Sequence, residues 1–427
     1  MPKNRILYNC QSIYVGPSPS SGYHFIDING NLNNTIEASN TNFNLIKRIT
    51  RATNLGYTIS LNREEIKQMG QSTIAAHPII KNPNVQVDFE YYPNGVINEL
   101  RLGLNANYTQ ISGINSGQPY YQNNFNNFIF SGMTNYDTNV QPAEEPYWPS
   151  NNRSVRNIFA TVTKTENDDE IFINDLNTPT QNFRNQNVIA FGDAYMVSYN
   201  TNCTIGALPT VRTSFIADNI VFYTGSSGLG IPAISPKSGN QLSDIKFVIP
   251  AEPDIQDISV IVPGDISIDI EQTGIDSSVS MNNITGLGVK FSDIKIQNYS
   301  IDIKFDREDM ESIGYKAPAS RRINFPVRVD LDFTSLAGDE SAANLKDLIV
   351  KDDKYNISLK MKKRGTNEEI LRYDFKKAFL EDFAYASSIE NNRSINFSFR
   401  SYCAPDDLSQ GLFISGQIPN QNLRVPY

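Results

Sequence analysis

The residue types that carry out most enzyme chemistry are sparse in this 427-residue chain. Its two histidines, His24 and His77, are far apart, and neither belongs to a His-x-x-x-His pair. The carboxylates Asp88 and Glu90 alternate with apolar residues, which is typical of the solvent face of a strand rather than of a glycosidase pair. No Gly-x-Ser-x-Gly motif occurs. The sequence therefore predicts no catalytic residue and no enzymatic activity.

Metal, cofactor and nucleotide sites are not indicated either. The three cysteines Cys10, Cys203 and Cys403 lack zinc-ligand spacing and cannot form a disulfide framework, so we expect buried free thiols. The acidic stretch 166–170 lacks the ligand spacing of a calcium loop. The glycines in 225–230 are not followed by the Gly-Lys-Ser/Thr of a phosphate loop. We expect no metal and no cofactor.

Charge and hydropathy limit the partners. The net charge is −9 and the isoelectric point is near 5.0. The sequence contains no Lys/Arg cluster of the kind that forms a nucleic-acid-binding face. It also contains no run of 18 apolar residues that could span a membrane, so we expect no membrane partner. The first residues lack the apolar core of a signal peptide, so we expect synthesis in a reducing cytoplasm.

A repeated motif organises the chain. Residues Tyr57–Gly70 recur, altered, as Ile301–Gly314, with four identities in fourteen aligned positions. The identical pairs are Ile59 and Ile303, Arg63 and Arg307, Glu64 and Glu308, and Gly70 and Gly314. Internal repeats of this kind indicate a duplicated structural unit.

Further segments follow in the same order in both copies. The alternating residues from Val85 align with those from Val327, and Tyr199–Phe215 aligns with Phe383–Phe399. Gly228-Leu229 aligns with Gly411-Leu412. The first copy must also carry extra residues between about 96 and 195. We interpret the chain as one domain duplicated in tandem, with two unrelated β domains as the alternative.

The predicted fold class is all-β with a minor helix, as two tandem β-sandwich domains. The first domain spans 1–224, with an insertion at about 113–152. A Gly/Pro-rich linker at 225–255 precedes the second domain at 256–405. A polar C-terminal tail with little to pack occupies 406–427.

The repeated motif has a local structure of its own. Tyr57–Leu61 alternates as a half-buried strand does. Ile66 and Met69 lie three apart, which predicts a helical turn with an apolar inner face, ended by a left-handed Gly70. Arg63 with its acidic neighbours reads as a solvated corner with local ion pairs, or as a subunit contact. A second helical segment is predicted at 341–351.

The 113–152 insertion is rich in Gly, Asn, Pro and aromatic residues, including Tyr120, Tyr121 and the only tryptophan, Trp148. Low charge with many aromatics is unlike a disordered linker. Long loops without regular structure are usually functional or disordered. The insertion is either a contact surface or a covering loop.

The motif resembles that of the tail tube proteins of long-tailed bacteriophages. A strand ends in Arg-Glu-Glu/Asp-Ile/Met, and Val-x-Val-Asp-Phe/Leu follows after a loop; the resemblance covers 57–92, 301–333, 195–222 and 383–402. It implies β-sandwiches with a short helix and a long loop, in stacked rings around a channel that conducts DNA. A duplicated subunit implies a trimeric ring with pseudo-sixfold symmetry, with a hexamer as the alternative.

The resemblance also implies a location and partners. The chain would be part of a virion tail, made in the host cytoplasm, and would contact its own copies and other tail proteins. DNA would pass without sequence-specific binding. The expected assembly uses edge strands to build the ring, and loops 17–50 and 113–152 to dock adjacent rings. The candidate interface residues are Arg63, Glu64, Gly70, Arg307, Glu308, Gly314, Tyr120, Tyr121 and Trp148.

Two other functions stay open. One is a distal tail, baseplate or neck protein, which would form a single ring rather than a polymer. The other is a carbohydrate-binding β-sandwich module, suggested by the many tyrosines, Trp148 and the asparagines.

Overall fold

The computed structural model describes most of the predicted strands and leaves several long connections undescribed. The described residues are 12–17, 47–70, 73–79, 82–104, 107–110, 155–163, 186–224, 229–230, 232–241, 246–247, 260–272, 295–336, 354–365, 368–388, 391–404, 406–407 and 409–418. The predicted insertion at 113–152, the predicted helix at 341–351 and most of 17–50 lie outside these ranges.

Alternating side chains set the strands and their faces. In the segment from Val327, the residues Val329, Leu331 and Phe333 are buried, whereas the intervening Arg328 and Asp332 are exposed. Successive side chains of a strand point to opposite sides of the sheet, so this pattern buries one face and leaves the other polar. Almost all of the described regular structure is β, with one α-helix among the described residues.

The first unit comprises residues 12–224. Its elements are β1 (Ser12–Pro17), β2 (Lys47–Arg48), β3 (Ala52–Ser60), β4 (Ile66–Lys67), β5 (Ile74–Ala76), β6 (Asn84–Tyr91), α1 (Ile97–Leu102), β7 (Asn107–Gln110), β8 (Val155–Thr163), β9 (Gln186–Thr204), β10 (Thr210–Ala217) and β11 (Asn219–Thr224).

The second unit comprises residues 260–418, after a short connecting pair, β12 (Leu229–Gly230) and β13 (Lys246–Phe247). Its elements are β14 (Ile266–Gln272), β15 (Lys295–Lys304), β16 (Arg307–Met310), β17 (Ser320–Ile323), β18 (Val327–Leu336), β19 (Tyr355–Lys362), β20 (Glu369–Ser388), β21 (Asn391–Cys403) and β22 (Gly411–Ile418), with a 3-10 turn at Pro263–Asp265 before β14.

The two units have the same strand order. The first reads β1-β8-β9-β10-β6-β3, with β11 also on β9. The second reads β14-β19-β20-β21-β18-β15, with β22 also on β20. All of these pairings are antiparallel. β9 pairs with β15, so both units belong to one 16-stranded sheet.

The register is shared as well as the order. Tyr57 of β3 lies opposite Val87 of β6, and Ile301 of β15 lies opposite Leu331 of β18. The β9–β10 and β20–β21 ladders each contain a bulge, at Val197 and at Glu381. The common topology is what the predicted duplication requires, although the origin of both units from one ancestral domain stays a prediction.

Each unit folds into two layers because one strand runs through both. β9 and β20 are 19 and 20 residues long, and each has one residue with positive φ, Asp193 and Lys377, both at 53°. Up to about that residue the strand pairs with one layer (β8 and β11, or β19 and β22), and beyond it mainly with the other (β10 or β21). β8 and β19 reach two residues and one residue past it.

The core lies between these layers and is rich in aromatic rings. Phe89 stacks on Phe215 at 5.5 Å between centroids, and Phe333 stacks on Phe399 at 5.9 Å. These two pairs occupy the same strand positions in the two units. Tyr355 of β19 meets Phe399 across the layers at 5.7 Å. Such offset aromatic pairs add to the free energy of burial.

The predicted helical turn after β3 is wrong. Ile66 and Lys67 form β4, which pairs with β5, and Arg307–Met310 forms β16, which pairs with β17. Met69 is fully exposed and Ile66 is about half exposed, so neither is on an inner face. A stretch this short gains little from helical hydrogen bonds, and hairpin pairing satisfies its backbone instead. The predicted left-handed glycines are confirmed, since φ is +82° at Gly70 and +87° at Gly314.

The C-terminal stretch and two alignments also differ from expectation. Residues 411–418 of the expected polar tail form β22, in which Leu412 and Ile414 are buried. By strand order β22 corresponds to β11, not to residues 228–231. The register aligns Val85 with Val329 rather than Val327. Alternation alone cannot detect a slip of two residues, because such a slip preserves which side chains face inward.

We expect Leu331→Ala to lower the free energy of unfolding by about 2 to 5 kcal/mol, because it leaves a cavity beneath a fully buried position. The matched control is Asp332→Ala, one residue along β18 on the exposed face, for which we expect a change within about 0.5 kcal/mol. Urea unfolding followed by circular dichroism measures both. Equal effects would contradict the assignment of faces.

Candidate assembly interface

The contact between the units is a strand-to-strand junction. Residues 298–304 of β15 pair antiparallel with 198–204 of β9, and Ile301 lies opposite Thr201. The ladder is extended at its ends by Phe305 N–H donating to Val197 O at 2.9 Å and by Ile205 N–H donating to Gln297 O at 3.0 Å. Each unit therefore supplies one edge strand to the other, which satisfies backbone groups that an open edge leaves unpaired.

The junction also buries apolar side chains. Ile301, Ile303 and Phe305 of the second unit are 0, 0 and 5% exposed. Opposite them, Tyr199 and Thr201 of β9 are fully buried. Fully burying an Ile or Phe side chain contributes about 1.5 to 3 kcal/mol each. The internal junction is therefore part of the hydrophobic core, not a loose contact.

Arg307, a residue of the repeated motif, joins the start of β16 to β9 beside this junction. Its Nε donates to Met196 O at 2.7 Å, and its Nη1 donates to Arg321 O at 3.2 Å. Its guanidinium carbon lies 5.4 Å from the centroid of the Tyr195 ring. Burial lowers the pKa of Arg307 to about 10, so it remains charged at neutral pH.

A buried ion-pair cluster supports Arg307. Arg321 donates to Asp218 Oδ1 from Nη2 at 2.7 Å and to Asp309 Oδ1 from Nη1 at 3.0 Å. The side chains of Arg321 and Asp218 are 4 and 6% exposed. Asp218 belongs to the first unit and Arg321 to the second, so this charge pair spans the junction. Removing one partner of such a pair leaves the other charge buried and unpaired, which is strongly destabilising.

A second buried cluster joins the units through α1. Glu99 Oε1 accepts from the hydroxyls of Tyr91 at 2.9 Å and Tyr199 at 3.1 Å. The hydroxyls of Tyr199 and Tyr373 are 2.9 Å apart, and Tyr373 lies on β20 of the second unit. Burial raises the pKa of Glu99 from 4.5 to about 7, and the tyrosine hydroxyls oppose that rise.

The chain around α1 crosses onto the second unit. β7 pairs parallel with β22, and Val96 N–H donates to Gln417 O at 3.2 Å. Gly95 is required there, because a Cβ at this position would lie 1.9 Å from Gln417 O and φ is +66°. The units are thus interlocked by a strand junction, an ion pair and a crossing segment.

The first copy of the motif has no such partner among the described strands. Ile59 and Leu61, the counterparts of Ile303 and Phe305, are each 47% exposed. Arg63 is exposed and donates from Nη1 to His77 O at 3.1 Å, just as Arg307 donates to Arg321 O. Arg63 has no described counterpart of the Arg307–Met196 bond. β3 is the end of the sheet path on this side.

The remaining candidate residues divide into three groups. Glu64 and Glu308 are exposed at the two corners, and Gly70 and Gly314 close the hairpins there. A local ion pair joins Glu65 and Lys67 at 3.8 Å, which is a different pair from the expected one of Arg63 with its acidic neighbours. Tyr120, Tyr121 and Trp148 lie outside the described residues.

Sequence reasoning missed the buried polar groups that join the units. These are Glu99, Tyr199, Tyr373, Asp218 and Arg321. A charged residue inside the apolar stretch from Val96 to Leu104 is the signal that marks Glu99. The partners come from strands far away in sequence, so no local pattern identifies them.

The described residues form no metal site and no membrane-spanning helix. No group of three or more His, Cys, Asp or Glu side chains there is placed to hold a metal ion. No helix in that part of the chain is long and apolar enough to cross a membrane. Cys203 and Cys403 are buried and are not in disulfides, and Cys10 lies outside the described residues.

Comparisons with known proteins give matches only among solved structures. No family model and no curated protein matches the chain. A structure of the anti-feeding prophage baseplate matches at 10% identity, over 35% of this chain and 92% of that one, with a TM-score of 0.22. The SPP1 tail tube matches at 12% identity, over 37% and 80%, with a TM-score of 0.20.

A third match is a sheath-tube complex of an extracellular contractile injection system. The identity is 11%, the coverage is 29% of this chain and 86% of that one, and the TM-score is 0.21. Identities and TM-scores this low carry no argument about function.

Glu99 makes the stability of the fold depend on pH. Its pKa is raised in the folded chain, so the neutral form is favoured there, and the stability present below pH 4.5 is lost as pH rises through about 7. The loss is on the order of 3 kcal/mol. Burial also raises the pKa of Asp218 to about 6, so its contribution is lost over the same range. We expect Glu99→Gln to reduce the fall between pH 5 and pH 8 in urea unfolding and to leave the part that Asp218 contributes. The control is Gln86→Asn on β6, which removes no ionisable group and should leave the pH dependence unchanged.

The two motif arginines offer a matched test of the junction. We expect Arg307→Ala to destabilise the single chain by about 1 to 3 kcal/mol, because Met196 O loses its donor in a buried corner. Arg63→Ala should change stability by less than about 0.5 kcal/mol in the unassembled chain, because Arg63 is exposed there. Thermal unfolding at low protein concentration measures both, and equal losses would contradict the difference between the two corners.

Proposed function

We propose that this protein is a structural subunit of a bacteriophage tail that assembles into stacked rings, in the role of the major tail tube protein. The sequence resemblance of the repeated motif to tail tube proteins supports the choice of assembly. Under this proposal the chain is not an enzyme, and its function is to build a wall around a channel.

One observation carries the proposal. The chain joins two units of like topology by an edge-to-edge junction, and it leaves the corresponding edge of the first unit, β3, exposed with apolar side chains. Long exposed apolar edges are a liability that proteins cover or pair. Heterologous contacts repeated with a fixed rotation close into rings or continue as filaments.

The polar face of the joined sheet suits a channel wall. Its strand positions carry asparagine, serine and acidic side chains, such as Asn200, Ser300 and Asp302. The arginines on this face include Arg328 and Arg400, which are both paired with Asp330. Affinity for nucleic-acid phosphates comes from Lys and Arg, so an acidic, amide-rich face would let DNA pass without adhering. We assign this face to the lumen as part of the proposal.

The number of copies follows from the two-unit architecture. If each unit takes one of six equivalent places around the channel, three chains complete a ring. If each whole chain takes one of the six places, six chains are needed. We favour the trimer, together with contacts to other tail proteins at the ends of the tube. A baseplate or neck protein with the same lateral contacts would form one ring without stacking.

Electron microscopy of the purified protein at high concentration tests the assignment. We expect tubes or stacked rings with threefold or pseudo-sixfold end views. Isolated rings would move the assignment to a baseplate, distal tail or neck position. A chain that stays monomeric at high concentration would refute both structural roles and favour a carbohydrate-binding module, which binding to cell-wall glycans would then test.

A further inference from the structure

The second unit also has an open edge, and it belongs to β20. In the first unit, residues 198–204 of β9 pair on one side with β10 and on the other with β15. In the second unit, the same part of the long strand, 382–388 of β20, pairs on one side with β21. No described strand occupies its other side. Asp382 and Ala384 are exposed there, and Phe383 is only partly buried.

The two open edges are the two halves of a junction that the chain already contains. β3 corresponds to β15, and the end of β20 corresponds to the end of β9, by both strand order and register. They are not paired within one chain, because β3 and the end of β20 lie at opposite ends of one path of strands. A second copy of this chain offers the matching edge to each of them.

We propose that residues 54–60 of one copy pair antiparallel with residues 382–388 of the next copy, in the register of the internal junction. This inference deepens the proposed function, because it names the partner and the strands by which rings would close. The opposed pairs are Asn54 with Ser388, Leu55 with Ser387, Gly56 with Ala386, Tyr57 with Tyr385, Thr58 with Ala384, Ile59 with Phe383 and Ser60 with Asp382.

The side chains at these positions fit the arrangement. Ile59 takes the place of the buried Ile303, and Phe383 takes the place of the buried Tyr199. An aromatic residue directly opposite a β-branched residue is a favourable cross-strand pair. The polar face would place Thr58 beside Ala384, where the internal junction has Asp302 beside Asn200.

Arg63 gains its missing acceptor in this arrangement. Arg307 reaches Met196 O across the internal junction, and the residue at the position of Met196 in the second unit is Leu380. Arg63 of one copy therefore donates to Leu380 O of the next. The backbone bond from Phe305 N–H to Val197 O is likewise repeated from Leu61 N–H to Glu381 O.

The contact is heterologous, because each copy offers one edge of each kind. Such a contact either closes into a ring or runs on as a helical filament. Closure pairs the open edges of β3 and β20 in every copy, which is how natural barrels avoid edge-to-edge aggregation. Each chain already contains one of these junctions, between its own two units, so a ring needs one further junction for each copy.

Disulfide cross-linking tests the register in the full chain, with Cys10→Ser to remove the one cysteine that lies outside the described residues. A Thr58→Cys chain is mixed with an Ala384→Cys chain, both positions being exposed in the single chain. Mild oxidation should give a cross-linked dimer in the mixture and no dimer from either variant alone. With both substitutions in one chain, the longest product should show the number of copies in a closed ring.

The matched control moves one cysteine out of register on the same face. Asn54→Cys mixed with Ala384→Cys places the two positions four residues apart along the strands, on the order of 13 Å. We expect little cross-linking from this pair. Equal yields from both mixtures would overturn the proposed register.

A second variant tests the apolar contact without cysteines. Ile59→Asp should weaken self-association by more than about tenfold in sedimentation velocity, because it would bury a carboxylate against Phe383. Its thermal unfolding at low concentration should not change, since Ile59 is about half exposed in the single chain. Val260→Asp, at another exposed apolar residue outside both edges, should leave association unchanged. Association unaffected by Ile59→Asp would overturn the inference.

The two proposals fail in different ways. Rings or tubes in the microscope with no cross-link between positions 58 and 384 would overturn the edge pairing and leave the tail assignment in place. A specific cross-link between copies that never form rings or tubes would support the edge pairing and overturn the tail assignment.

Discussion

The structure depends on how unpaired strand edges find partners. A sheet edge presents N–H and C=O groups that lose hydrogen bonds unless another strand, a barrel closure or water satisfies them. Here the edge of the second unit is satisfied by the first, through β15 on β9. The residues that cover that edge are the most completely buried of the repeated motif. The first copy of the motif, at β3, is exposed, so related local sequences have two environments, one with a partner strand and one with no described partner strand.

Electrostatics holds the two units in one orientation. Backbone pairing alone tolerates slippage, because the side-chain pattern repeats every two residues. The pair of Asp218 with Arg321 and the hydroxyl cluster around Glu99 are both buried, and both have members in each unit. Buried polar groups are costly unless each partner is in place, so they penalise any other register. The enclosure of Arg307 adds a third fixed point, since its two acceptors are carbonyls of different strands.

Much of the strand content could be predicted from alternation, for example Val327–Phe333 and Tyr355–Met361, because a half-buried strand leaves a direct trace in the sequence. Glycines 70 and 314 were also identified, since a left-handed turn is a local requirement. The corner between was mistaken for a helical turn, because Ile66 and Met69 at a spacing of three suit either a turn or a hairpin whose partner, β5, lies farther along the chain. β22 was missed because its short apolar run, Leu412 to Ile414, is followed by polar residues and glycine, and only its position between β20 and β7 buries Leu412 and Ile414.

The sequence by itself determined the all-β class, the repeated motif and most strand positions, because these follow from side-chain period and local backbone preference. Tertiary structure alone decided which copy of the motif is covered, because Ile59 and Ile303 are the same residue in the same local pattern. It also decided the pairing of Glu99 with Tyr199 and of Arg321 with Asp218, which lie 100 and 103 positions apart in the chain. Burial and pairing at such distances depend on how the strands order themselves in the sheet, and no local pattern encodes that order.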